Sequence, residues 1–591
     1  MKLPSIDYVA GEARRAFDRF PYVLISAILS AIVALYLVED TQEVQQELIK
    51  LLLVLSLGIP LFFSMALYSE KPLKTFRPPR WAFLLGVAAF LTILYFVLLN
   101  SSGTVPYFRY AQITLAVHLF VAFAPFLSKG EVNGFWQLNK NIFLRFWLSA
   151  LYASVFFIGL TLAIAAVDYL FALKLDGKIY ERLWIFTAYV FMTWHFLAGM
   201  PQDIDQLDNT TDYPKGLKVF TQYMLVPLAT LYFLILYVYM GKILLNGVWP
   251  KGWVGWLVSD ASVLGVLTLL LLYPAQEKTD TWIKIYAKGF YVAVIPLLGM
   301  LFAAIGQRLG QYGITENRYF LFILGLWLLG IALYFIFVRT HSIKTIPISL
   351  FLLVAISSFG PWGAYSVSQS SQSQRLTVLL TKNHLWNGVK LLKSTQKLSF
   401  EDQKQLSDIV EYLANTHGVN AFSQWTHQDL KGVADQSAGY ERSEKVTQAF
   451  LSEIGVEYVN RWTNSSGDRP LYYEAKIGEI NVSGYEHLVD INGFGAGSGI
   501  TSYHLVSSGH GNTLEVQNGK SLVCQISLND FMKNISDLKE KYNVPQETLS
   551  LTGTQGNVRV KIYFRTLSLQ IQQDGSRLIT GASALLLIHQ P

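Results

Sequence analysis

The sequence predicts a polytopic α-helical membrane bundle followed by a C-terminal soluble α+β domain, and three observations carry that prediction. Apolar residues make up 52% of the 591-residue chain and charged residues only 15%, against roughly 25% charged in ordinary soluble domains. The shortage of charge is concentrated before residue 366, where eleven apolar segments are each about long enough to cross ~30 Å of hydrocarbon. After Tyr365 the composition changes abruptly, through the polar run SVSQSSQSQ of Ser366–Gln374.

The eleven segments lie near 21–38, 48–68, 81–100, 107–127, 143–168, 182–200, 218–245, 253–273, 286–307, 319–338 and 345–365. In lipid every backbone N–H and C=O must be paired within the segment, so these are helices rather than strands. Pro60, Pro125, Pro227, Pro296 and Pro347 fall within or near them and predict kinks. No small-residue cleavage site follows the first run, Tyr22–Val38, which therefore reads as a retained span rather than a secretory signal.

Charge sets the expected orientation. The first 365 residues hold 27 Lys/Arg against 20 Asp/Glu, and the remainder holds 20 against 21. The basic excess thus belongs to the membrane part and calls for no nucleic-acid partner. Assigned to alternate sides, the connections put 18 Lys/Arg on the side of the N-terminal arm and 9 on the other. That bias predicts a cytoplasmic N-terminus in a bacterial inner membrane. Eleven spans then leave the C-terminal domain outside.

The domain plan is residues 1–365 as the multi-pass domain, 366–374 as a Ser/Gln linker and 375–591 as the soluble domain. Within the last, helical patterns run over Phe400–His417, Glu444–Ile454 and Leu528–Tyr542, the first opened by Ser399 with Asp402 three residues on. Alternating patterns run over Leu471–Ile480, Asn557–Gln572 and Arg577–His589, and Asp574-Gly575 between the last two predicts a hairpin. The single cysteine, Cys524, excludes an intrachain disulfide framework.

Two stretches are distinctive. Tyr213–Leu228, YPKGLKVFTQYMLVPL, runs straight into a span, and Tyr312–Phe320, YGITENRYF, stands at the entrance to another. Together they resemble the bacterial multi-spanning proteins of the domain-of-unknown-function 4153 family. The resemblance covers about residues 10–420 and implies an inner-membrane protein, from a Bacteroidetes-like lineage. It implies no activity and no functional residues.

Chemistry has few places to sit. Asp205, Asp208 and Asp212 follow the order D-x-x-D-x-x-x-D, which is similar to the first aspartate motif of membrane-embedded prenyltransferases. Such carboxylates would hold magnesium against a diphosphate. Ile204 stands where that motif has asparagine, no second aspartate-rich motif follows, and Leu207 breaks an EF-hand pattern. The alternative is a solvated loop in which Asp212 starts a Pro-containing turn. The sequence suggests no cofactor other than magnesium, and that only under the first reading. At the other stretch, Thr315 is a candidate N-cap and Glu316 suits the helix dipole. Arg318 is expected to pair with Glu316, a lipid headgroup or the C-terminal domain.

Ionisable residues inside spans are functional candidates because lipid makes them costly. Here they are Asp260 and His118, with His195 and Asp168 nearer the ends. No span carries a central carboxylate pair of the kind an ion relay uses. In the C-terminal part, Gly493–Gly499 lacks the dinucleotide spacing and reads as a glycine-rich turn. Seven histidines show no zinc spacing, Ser498 lacks a hydrolase elbow, and Cys524 reads as a small buried residue. Three functions are therefore open: a bundle that binds lipid, small solute or partner helices while its tail engages a protein partner; an enzyme or transporter acting on an isoprenoid or phospholipid carrier; and a sensor with an external ligand domain.

Overall fold

Each of the eleven apolar segments is largely helical in the residues described by the computed structural model. It describes residues 6–39, 45–71, 79–97, 103–128, 130–247, 254–278, 281–426, 428–435, 441–460, 469–476, 478–492, 503–508, 513–519, 521–536, 544–571 and 577–590. Among these, eight helices are long and apolar enough to cross a membrane: Pro21–Glu39, Gln46–Glu70, Val105–Phe126, Val132–Phe171, Lys215–Asn246, Val254–Pro274, Thr281–Tyr312 and Glu316–Phe337. Trp81–Val97 and Thr345–Ser358 are shorter apolar helices. The sixth segment is composite, with a π-helical stretch Phe186–Phe191 between Lys178–Ile185 and Met192–Ala198. The protein is a multi-pass membrane protein with a helical bundle and an α+β region after it.

The chain divides into two compact units, Met1–Arg375 with Tyr412–Gln424, and Leu376–Glu411 with Trp425–Pro591. In the first unit prolines lie both at helix starts, where a missing N–H is least costly, and inside helices. Pro60 and Pro296 lie inside helices, Pro125 lies in a 3₁₀ turn, and Pro227 opens Val226–Asn246 directly after the π turn Phe220–Leu225. One helix contact depends on an absent side chain. A Cβ on Gly265 would lie 1.9 Å from the Phe290 ring, so only glycine lets that ring lie against the helix.

The eleventh segment ends earlier than its hydropathy predicts. Thr345–Ser358 stops at Phe359-Gly360-Pro361, where Gly360 has φ +81° and proline cannot donate to the preceding turn. A new helix, Ala364–Lys382, then contains the whole Ser366–Gln374 run. That run is thus not an irregular linker. Ser368 and Gln372 are buried at 0% and 3% exposure, and with Arg375 they recur at i, i+4 and i+7 on one helical face. The expected linker is a docking stripe.

In the second unit, helix Phe400–Thr416 opens with Ser399, whose Oγ accepts the Asp402 N–H at 3.1 Å. Its last turn, from Tyr412, belongs with the first unit. Among the described residues nine strands follow: β1 (Arg469–Lys476), β2 (His487–Asn492), β3 (Tyr503–Ser508), β4 (Thr513–Asn518), β5 (Ser521–Ser527), β6 (Val544–Pro545), β7 (Ser550–Gln555), β8 (Val558–Ile571) and β9 (Arg577–His589). One sheet has the order β2-β9-β8-β1-β6, with β7 pairing β8 alongside β1, and β3-β4-β5 form a second. β8 and β9 pair antiparallel, Ile571 opposite Arg577. Both sheets share one apolar core, which includes Leu514, Cys524, Ile562, Phe564 and Leu586. Helix Asn529–Ser536 covers part of it through Phe531 and Ile535. Asp574-Gly575, the Gly493–Gly499 run with Ser498, and the end of the expected Leu528–Tyr542 helix lie outside the described residues.

Candidate functional site

The acid-rich loop is held by a polar stripe on the neighbouring helix. Asn133, Gln137 and Lys140 stand at i, i+4 and i+7 in the first turns of Val132–Phe171. Asn133 Nδ2 donates to the carbonyls of Asp208 and Thr210 at 2.8 and 2.6 Å. Gln137 Nε2 donates to the Asp212 carbonyl at 3.0 Å, and Lys140 Nζ lies 2.9 Å from Asp212 Oδ2. The Gly134 N–H donates to Asp208 Oδ1 at 2.7 Å. Asp203 Oδ1 folds back onto the N–H groups of Asp205 and Gln206, and Asp205 faces Lys71 at 3.4 Å.

The three aspartates of the magnesium reading therefore go to three separate partners: a lysine, a backbone amide and a second lysine. Among the described residues, no group of three or more His, Cys, Asp and Glu is placed to hold a metal ion. The donor set does not fit the ion.

Beside this loop, Lys344 closes the junction between two helices. Its buried ammonium donates to the carbonyls of Phe126, Ser128 and Gly130 at 3.1, 2.8 and 2.5 Å. Three N–H groups meet three acceptors, so the charge is fully solvated by backbone. Burial pushes this ammonium down from its usual range, against the pull of the neighbouring Glu131. Burial would raise Glu131 in turn, but Lys71, 3.0 Å away, holds its carboxyl below the usual value.

The Tyr312–Phe320 stretch builds a second polar cluster. Gly313, at φ +68°, ends helix Thr281–Tyr312 in the left-handed conformation and returns its N–H to Leu309. Thr315 occupies the N-cap position of Glu316–Phe337 in extended backbone, but its hydroxyl makes no cap bond. Glu316 is turned inward and 7% exposed. Its Oε1 accepts Ser368 Oγ at 2.5 Å and lies 3.1 Å from His417 Nε2, while Oε2 accepts the Tyr412 hydroxyl at 2.5 Å. Burial first, and the Glu316 charge second, push the Tyr412 hydroxyl far above its ordinary range, which keeps it a donor.

Arg318 does not pair with Glu316. Its Nη1 donates to the carbonyls of Gly313 and Tyr312 at 2.8 and 3.3 Å, which caps the negative end of the preceding helix. Gln372 Nε2 donates to the Tyr312 and Ile314 carbonyls at 2.9 and 3.0 Å, Ser371 Oγ accepts the Ile314 N–H, and Arg375 donates to Gln311. The Ser/Gln run thus clasps this turn.

A cleft of about 190 Å³ opens next to it, lined by Trp256, Ile305, Arg308, Thr315, Asn317 and Arg318 among others. No acidic residue is among the described residues that line it. Glu316, between the lining residues Thr315 and Asn317 in sequence, is committed to Ser368, His417 and Tyr412. Two guanidinium groups, a hydroxyl, a side-chain amide and a helix N-terminus therefore share a cleft that no acidic residue lines among the described residues. Such a set recognises an anion.

The family described as Domain of unknown function (DUF4153) matches residues 24–387, more than half of the chain. The chain belongs to this family. The match takes in the acid loop, the Gly313 turn and the helix that clasps it. The DUF4153 chain is also similar to an uncharacterized protein, PM1469, of Pasteurella multocida (strain Pm70), 25% identical over 319 residues. That similarity covers 52% of this chain and 54% of the relative, so the chain spans about half the length of the curated relative it matches. No solved structure matches.

The remaining candidates of this DUF4153 protein take no part in the hydrogen bonds described for either cluster. His118 is exposed and its Nδ1 lies 2.7 Å from the Thr114 carbonyl one turn back. Asp260 is exposed on Val254–Lys278. Asp168 Oδ1 accepts the Leu175 N–H beyond the end of its helix, and His195 Nδ1 lies 2.8 Å from Ser149 Oγ. Cys524 is fully buried in β5. Sequence reasoning missed Asn133-x₃-Gln137-x₂-Lys140, Lys344, Arg308 and the inward face of the Ser/Gln run. The i, i+4, i+7 spacing of the polar residues was a signal that could have found both stripes.

Proposed function

We propose that this protein resides in the bacterial inner membrane and binds the phosphate-bearing headgroup of an anionic membrane lipid in the Arg308–Arg318 cleft. The observation that carries this reading is the pairing of two arginines in one cleft that no acidic side chain lines among the described residues. Arginine suits the role because its fork gives parallel N–H donors to a phosphate. The cleft lies where two apolar helices end, at the depth where headgroups sit. By the distribution of Lys and Arg, the N-terminus is cytoplasmic and this cleft and the second unit are extracytoplasmic.

The test is native mass spectrometry of the purified full chain with added phosphatidylglycerol or phosphatidylcholine. The wild type should retain phosphatidylglycerol in preference, and Arg308→Gln should lose that preference. Equal retention by wild type and variant would overturn the headgroup assignment. Reporter fusions after residues 128 and 380 test the orientation independently, with 128 expected inside and 380 outside.

A further inference from the structure

A second cavity lies in the other half of the bundle and differs in character. It is a groove of about 290 Å³ whose lining is almost wholly apolar, including Phe90, Ile113, Val117, Phe120, Phe351 and Phe359. Four helices contribute: Gln45–Glu70 through Leu61, Arg80–Val97 through Phe90, Val105–Phe123, and Thr345–Ser358. Phe90 and Phe359 are more than 40% exposed, so the groove opens to the outside of the bundle.

One helical face sets its direction. Ile113, Val117 and Phe120 follow Arg109 at i+4, i+8 and i+11, which keeps all four on one stripe. The guanidinium of Arg109 lies over the rings of Phe359 and Tyr365 at 5.6 and 5.1 Å. Its Nε is buried and has no hydrogen-bond partner among the described residues. From Arg109 to Phe120 the helix rises about 16 Å, roughly half of a ~30 Å hydrocarbon core. That is the depth of one leaflet. Tyr107, Phe108 and Trp362, exposed at 56%, 51% and 60%, surround the arginine end in the manner of an interfacial aromatic belt.

We infer that this groove holds one acyl chain of an anionic phospholipid whose headgroup pairs with Arg109. Charge complementarity selects the occupant. An apolar slot with an arginine one turn beyond its Ile113 end, stacked on the Phe359 ring that lines it, matches an amphiphile with a negative head and a hydrocarbon tail. The site is separate from the Arg308–Arg318 cleft, on different helices.

The experiment uses the full chain in detergent, titrated with dioleoyl phosphatidylglycerol or dioleoyl phosphatidylcholine, with bound lipids counted by native mass spectrometry. Arg109→Gln should weaken phosphatidylglycerol binding about tenfold, the size expected for one charge-assisted contact, and leave phosphatidylcholine unaffected. Val117→Trp, which fills the slot, should remove one bound lipid of either kind. Arg308→Gln should leave this lipid in place, which separates the inference from the proposed cleft. Unchanged lipid counts in both Arg109→Gln and Val117→Trp would overturn it. So would a change of oligomeric mass in Val117→Trp with lipid counts intact, since a second copy would then be the occupant.

Discussion

Tyr412 donates its hydroxyl to Glu316 Oε2 across 96 residues of sequence, at 2.5 Å. The carboxylate it meets is buried and also takes Ser368 and His417. A buried charge is tolerable only when such partners are complete. Glu316→Ala should therefore lower the stability of the full chain by roughly 3–5 kcal/mol, the cost of breaking a buried charged network. Tyr412→Phe should cost about 1–3 kcal/mol, since one donor is lost and two remain. Thermal unfolding of the two variants should show that order, and a Glu316→Ala protein as stable as wild type would remove the network from the account.

Lys344 makes a similar prediction at the acid-loop end. Lys344→Met leaves three carbonyls, at 126, 128 and 130, without their common donor. A loss of at least about 2 kcal/mol is expected from the desolvated acceptors. Hydrogen exchange should localise the loosening to the first turn of Val132–Phe171.

The acid loop should respond to its partners on the helix more than to its own exposed charges. Asn133→Leu and Gln137→Leu together remove five bonds to the loop carbonyls. Limited proteolysis should then cut within 203–212 faster than in wild type. Asp205→Asn, a largely exposed partner of Lys71, should change stability by less than about 1 kcal/mol. A larger effect of Asp205→Asn than of the double variant would argue for a role beyond docking.

Gly313 has two reasons to remain glycine. Its φ is +68°, and a Cβ there would lie 2.7 Å from Arg375 Cδ. Gly313→Ala should cost about 1–2 kcal/mol from the left-handed backbone alone, with a further displacement of Arg375 detectable as faster proteolysis near Arg375.

The pH response of the second unit has a defined sign. The hydrogen bond from Lys382 holds the Asp402 carboxyl below its ordinary value. A depressed folded pKa means stability that is complete above the unfolded value, about 3.9, and lost as pH falls through the folded one. Acid unfolding should therefore begin below about pH 4, and Lys382→Met should move its onset upward. An onset unchanged by Lys382→Met would exclude this pair as a contributor.

Much of the fold was legible because hydropathy and alternation are local. The eleven apolar runs, the Ser399 cap and the β8–β9 pairing all follow from short windows of sequence. The polar clusters were not legible in that way, because their chemistry is completed by distant residues. Glu316 read as a first-turn carboxylate favoured by the helix dipole, and nothing near it in sequence announces Tyr412 or His417. Asp205, Asp208 and Asp212 looked like one site because they are close in sequence, yet each turns to a different partner. The Ser/Gln run misled for the opposite reason. Its composition is that of a linker, while its period is that of a helix.

The return of Tyr412–Gln424 to the first unit bears on how the chain can be divided for study. A fragment ending at the Ser/Gln run retains Ser368 but lacks Tyr412 and His417, so Glu316 is left with one of its three partners. Loss of a phenotype in such a fragment would report a damaged bundle as readily as a missing α+β region. A division that keeps the carboxylate whole must carry the bundle through Gln424. Alternatively, residues 376–591 can be supplied in trans, in which case rescue would itself measure how tightly that segment seats on the buried charge.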